Sequence, residues 1–127
     1  MADFRLLLPD DRGIIGTVDE QGILTFVVMA GEGSPIRGTE MFDLMMRAFG
    51  KQVRGIRGVW RRGFGGISSN LEKVNELTAQ GTPIDEAVKH AWTVTRAKRW
   101  GFKRVSVLGE PEGSPGTYTK IDVLIEE

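Results

Sequence analysis

His90 is the single histidine of the 127-residue chain, and Glu86 stands four residues before it. On a helix that spacing puts both on one face, within reach of an imidazole–carboxylate pair. Imidazole exchanges protons near neutral pH. With arginines to neutralise a phosphorane, such a pair suffices for metal-free RNA cleavage by general acid–base chemistry. The alternative is an exposed histidine beside an incidental neighbour. The chain has no cysteine, which excludes disulfides, thiolate nucleophiles and Cys-ligated zinc, and one histidine cannot build a His-rich metal site. No metal and no cofactor are expected.

A second constellation is basic. Lys51, Arg54, Arg57, Arg61 and Arg62 are set among glycines together with Trp60 and Phe64. Guanidinium forks suit phosphate, glycines let backbone amides approach an anion, and an aromatic ring can stack on an unpaired base. Lys51, Arg54, Arg57, Trp60, Arg61 and Arg62 are therefore the candidate nucleic-acid-binding residues. The competing account makes Trp60 and Phe64 core plugs under a long loop whose arginines are solvated. Residues 31–34 do not form a phosphate-binding P-loop, because no Gly-Lys-Ser/Thr follows them.

Net charge is zero, and by itself predicts no polyanionic partner. Its distribution says more. No Asp or Glu occurs in residues 44–71 or in residues 87–109, and these two windows hold twelve of the seventeen basic residues. If Arg96, Lys98, Arg99, Lys103 and Arg104 of the second window shared a surface with the first, the nucleic-acid reading would strengthen. No stretch approaches the ~18 apolar residues of a membrane span. Without the features of a signal peptide at its start, the chain is expected in the cytoplasm, with no membrane partner.

The elements that must position these groups are legible in outline. Strands are expected over residues 4–8, 14–18, 23–29, 102–108 and 117–125, with the second and third joined by a turn at Asp19-Glu20-Gln21-Gly22. A first helix capped by Thr39 should end at Gly50. A second opens on a capping box at Ser69 and Glu72 and ends at Gly81. A third starts at Pro83 and runs to about residue 100, burying Ile84, Ala87, Val88, Ala91, Trp92 and Thr95. Residues 51–66 read as irregular and residues 109–116 as a loop. The expected fold is α+β: residues 1–127 as a single two-layer domain, with about five strands in an antiparallel or mixed sheet and three helices on one face. The expected core is Ile23, Phe26, Val28, Phe42, Met45, Phe49, Leu71, Leu77, Ala91, Trp92, Val105, Val107, Ile121 and Val123.

Two resemblances bear on function. Arg37, Ser68-Ser69 and Glu110-Pro111-Glu112 resemble, in order, the Arg, Ser and Glu-x-Glu elements of ADP-ribosyltransferases. Over more of the chain, residues 37–42, Gly58-Val59-Trp60, Asn70-Leu71 with Asn75, Trp92-Thr93, Gly101-Phe102 and residues 113–118 resemble a small domain. It is found at the C-termini of bacterial polymorphic toxins of the filamentous-haemagglutinin and RHS-repeat type. Ser69 and Val94 depart from that pattern, which has Asp or Thr and Gly there. The resemblance implies a cargo domain acting on a cytosolic macromolecule, often a nucleic acid, and an immunity protein as a possible partner. The expected function is thus a small toxin-like domain that binds RNA or another polyanion, with metal-independent ribonuclease activity if His90 and Glu86 act together. The rival is a non-enzymatic interaction module, regulatory or partner-binding, working through an exposed sheet face or the acidic C-terminal hairpin. A homo-oligomer is the third reading.

Overall fold

The computed structural model describes residues 2–29, 35–62 and 69–127. Phe64, Ser68 and residues 31–34 lie outside the described residues. The class is α+β, with six strands and four α-helices among the described residues. The chain groups into two compact units, residues 1–56 and residues 57–127.

In the first unit β1 (Ala2–Leu7), β2 (Gly13–Val18) and β3 (Ile23–Met29) form an antiparallel meander. Asp19 builds the β2–β3 turn: its Oδ1 accepts from the N–H of Gln21 (2.8 Å) and of Ile23 (3.0 Å), while Gly22 takes φ 82°. The register sets Phe4 and Leu6 beside Gly16 and Ile14, and these beside Phe26 and Val28, on one face. Helix α1 (Gly38–Phe49) buries Met41, Phe42, Met45, Met46 and Phe49, and Phe42 meets Phe26 edge-on with ring centres 5.3 Å apart. Gly16 admits this packing, since a Cβ there would sit 2.5 Å from Met45 Sδ. Thr39 is not the cap. Arg37 holds that position with extended backbone and no side-chain cap bond, and its carbonyl accepts from Met41 N–H. After a 3₁₀ turn at Gly50–Gln52, Gly55 and Ile56 pair in parallel with Ile23 and Leu24. The sheet is therefore mixed.

Those two residues open β4 (Gly55–Arg61), a strand where the sequence suggested irregular chain. Its two glycines and two arginines hide an alternation in which Ile56, Gly58 and Trp60 are buried while Arg57, Val59 and Arg61 are exposed. Gly58 is required by packing, because a Cβ would meet Trp60 Nε1 at 2.6 Å and Val123 Cγ2 at 3.1 Å.

In the second unit the strand order is β4, β6 (Lys120–Glu126), β5 (Arg104–Glu112). Ile121, Val123 and Ile125 of β6 are fully buried and alternate with half-exposed residues. β5 continues four residues beyond its expected end, through a register shift between Leu108 and Glu112 where Gly109 has φ 64°. Pro111 is tolerated there because the outermost strand needs no donor from it.

The expected third helix is two short ones. α3 (Ile84–Ala87) passes into a 3₁₀ turn at Val88–His90, Ala91 is extended (ψ 148°), and α4 (Trp92–Lys98) begins anew. The restart is capped from α2 (Ser69–Ala79). Thr93 N–H donates to Asn70 Oδ1, and Asn70 Nδ2 donates to Thr93 Oγ1, both at 2.9 Å. The break turns the helix face, so Thr93, Val94 and Ala97 are buried, while Trp92 is only half-buried and Thr95 exposed. On α2 likewise Leu77 yields to Asn75 and Thr78. Asn75 donates to Tyr118 O (3.0 Å) and accepts from Tyr118 N–H (2.8 Å), and Thr78 Oγ1 accepts from Gly116 N–H (2.8 Å). Asn70, Asn75, Thr93, Gly116 and Tyr118, which carry part of the toxin-domain resemblance, thus make tertiary hydrogen bonds within this unit.

Candidate functional site

Strand β4 places two of the candidate binding residues on one face. Arg57 and Arg61 project from its exposed face on either side of Val59, itself 41% exposed, and exposed Arg62 follows. Arg62 N–H donates to Thr119 O (3.1 Å), and Gly58 lies against Val123, so β4 and β6 run in opposite directions. Arg57 is already engaged by an oxyanion: its Nη2 donates to Asp122 Oδ2 at 3.3 Å, with Asp122 on β6. That contact is longer than the 2.7–2.9 Å of a tight charge-assisted bond. The other oxygen, Asp122 Oδ1, is buried and has no hydrogen-bond partner.

Trp60 is placed otherwise. It is 4% exposed and sits on the buried side of β4, opposite the arginines. Its indole is a core group under Gly58 and offers no face for stacking. Lys51 and Arg54 belong to the first unit. With Asp19, Glu20 and Gln21 they line an open depression of about 310 Å³, where two cations meet two carboxylates. The Arg54 stem packs on Gly22, whose carbonyl accepts from Arg54 N–H at 2.7 Å.

His90 and Glu86 are both exposed, and the hydrogen-bond partner of Glu86 is Lys89 (Nζ to Oε1, 2.8 Å). The cause is local winding. At three residues per turn a 3₁₀ segment stacks residue i+3, not i+4, over residue i. The Lys89 hydrogen bond and charge, with a smaller contribution from His90, hold the Glu86 carboxyl below its ordinary value. A carboxylate so held is a weaker base and a poor proton donor near neutrality.

The second basic window is dispersed over the end of α4, the following loop and β5. Arg104 Nε donates to the Glu127 carbonyl at 2.6 Å, and Arg104 is register-paired with Glu126. Of the ADP-ribosyltransferase-like elements, Arg37 caps α1 in the first unit and Glu110 and Glu112 stand on β5 in the second. Among the described residues no group of three or more His, Asp or Glu could hold a metal ion, and no helix is long and apolar enough to cross a membrane.

Reasoning from sequence missed Asp122. Charge windows count neighbours along the chain, whereas sheet pairing brings an acid 65 positions away onto Arg57. The alternation of 121–125 that marked β6 as a strand was the available signal. Compared with known protein families, curated proteins and solved structures, the chain finds no match in any of the three.

Proposed function

We propose that the protein is a small cytosolic, toxin-like module that binds single-stranded RNA along the exposed face of β4. One observation carries this: strand alternation sets Arg57 and Arg61 about 13 Å apart, at ~3.3 Å per residue, on one face with Val59 between them. Arg62, the next residue, adds an exposed cation just past the strand's end. Guanidinium binds phosphate in the geometry it uses for carboxylate, so a phosphate can take the place of Asp122 on Arg57. Val59 offers an apolar contact to a base between the two cations. Trp60 contributes by anchoring the strand.

Fluorescence anisotropy of a labelled uridine oligonucleotide across a salt series tests this. Log affinity should fall linearly with log salt. Combining Arg57→Ala with Arg61→Ala should flatten the slope by about 1.4, at ~0.7 for each single-strand phosphate that the protein no longer neutralises. Combining Lys51→Ala with Arg54→Ala should leave it unchanged, since those cations share their depression with Asp19 and Glu20. Undetectable binding at low salt, or equal loss from both pairs, would sink the reading.

A second reading, a protein-interaction module, is favoured by the outer face of β1–β3. There Leu7 (55% exposed) and Val27 (60%) flank Ile15, and the register pairs Ile15 with Val27. RNA that fails to bind would move the function to that face.

A further inference from the structure

β1 is the outermost strand of the first unit, and its composition is self-complementary. One edge is zipped to β2 from Ala2↔Val18 to Leu7↔Gly13, without a register shift. No strand among the described residues pairs with the other edge. Free edges are ordinarily protected by lysines, proline, a bulge or an inward-pointing charge. Six residues of β1 carry none of these. Their only charges are Asp3 and Arg5, both on the exposed face. Asp3 accepts a hydrogen bond from Thr17 Oγ1 (3.0 Å), and Arg5 makes no ion pair among the described residues.

We infer that this edge is a docking site for the β1 strand of a second copy of the chain, paired antiparallel about a two-fold axis at Phe4. Only the register centred there matches the charges. It sets Asp3 opposite Arg5 of the second copy, Arg5 opposite its Asp3, Phe4 opposite Phe4 and Ala2 opposite Leu6. Centring on Asp3 or on Arg5 would instead oppose two like charges, which destabilises a cross-strand pair. The pairing also respects the pleat. Both members of each pair are odd-numbered or both even, so exposed residues meet exposed ones and the α1-covered faces align. An isologous interface of this kind closes on itself and leaves no further β1 edge to extend. The inference is independent of RNA binding, because β1 and β4's arginines belong to different units.

Two measurements test it. Sedimentation over a concentration series should show a monomer–dimer equilibrium. Arg5→Asp or Asp3→Arg alone should weaken it at least about tenfold through like-charge opposition, and the two exchanges together should restore it. Circular dichroism on each variant separates misfolding from loss of pairing. Because the chain has no cysteine, single cysteines then report the register. An equimolar mixture of Asp3→Cys and Arg5→Cys proteins should oxidise predominantly to the mixed disulfide. A wild-type monomer at every concentration, a dimer indifferent to the single reversals, or cross-links favouring like-with-like would each overturn the inference. The last two would assign self-association to another face, and a monomer whose β1 edge is instead protected by an added extended peptide would assign the edge to a different occupant.

Discussion

Arg57 and Asp122 set the terms for any anion that approaches β4. Their 3.3 Å contact is partly exposed, a setting in which an ion pair contributes roughly 0.2–1 kcal/mol. The carboxylate also competes with phosphate for the same guanidinium. Asp122→Asn removes the competing charge at nearly constant volume. It should tighten single-stranded RNA binding roughly 1.4- to 5-fold, the equilibrium equivalent of that pair, while changing the urea midpoint little. Anisotropy titrations at one fixed salt concentration check this, and unchanged or weaker binding would mean that Arg57 does not meet phosphate. The residue types of the row were legible in the sequence, but their availability was not. Trp60 could be read as a stacking ring or a core plug because both need an aromatic beside glycine. Only the strand's alternation, with Gly58 yielding space to the indole, decides for the core.

Among the elements, the strands with apolar alternation were readable, and the two that failed have specific causes. β4 has glycine at two of its buried positions, so the period-2 signal drops out where it should appear. The break between α3 and α4 has no local signal, since apolar residues continue across it at helical spacing. It is imposed by Asn70, 23 positions away, whose amide supplies the cap that Ala91 lacks. That dependence is testable. Asn70→Ala should cost about 1–2 kcal/mol, as loss of a cap leaves Thr93 N–H without an acceptor. Asn70→Asp should recover most of it, because a carboxylate accepts from the same N–H and from the rotated Thr93 hydroxyl. Urea denaturation at constant m-value measures both, and equal destabilisation by the two substitutions would remove the capping account. The same winding bears on the His90–Glu86 spacing: the i,i+4 rule needs an α-helix, His90 ends a 3₁₀ turn, and the hydrogen bond of Glu86 goes to Lys89.

Across the whole molecule, acid-free windows in the sequence become mixed surfaces in the fold. Asp122 meets Arg57, Asp19 and Glu20 share a depression with Lys51 and Arg54, and Glu126 is register-paired with Arg104. With a net charge of zero, binding to a polyanion must come from a local row and not from the overall field. Cleavage asks for more: a proton acceptor and donor poised near neutrality in a site that limits water. Glu86 and His90 are exposed, and Glu86 is held ionised by Lys89, so its proton is gone well below neutral pH. Because that carboxyl is lowered, whatever the Glu86–Lys89 contact contributes to stability is present above the ordinary carboxyl range and is lost as pH falls through the lowered value. Neutral-pH chemistry gains nothing from it. The expected outcome is binding without cutting: total RNA incubated with the protein in chelator stays full length, and His90→Ala and Glu86→Gln proteins behave like wild type. Shortened RNA from the wild type that either substitution abolishes, with the circular dichroism spectrum unchanged, would reinstate the acid–base pair and require Glu86 to exchange Lys89 for His90 when RNA is bound.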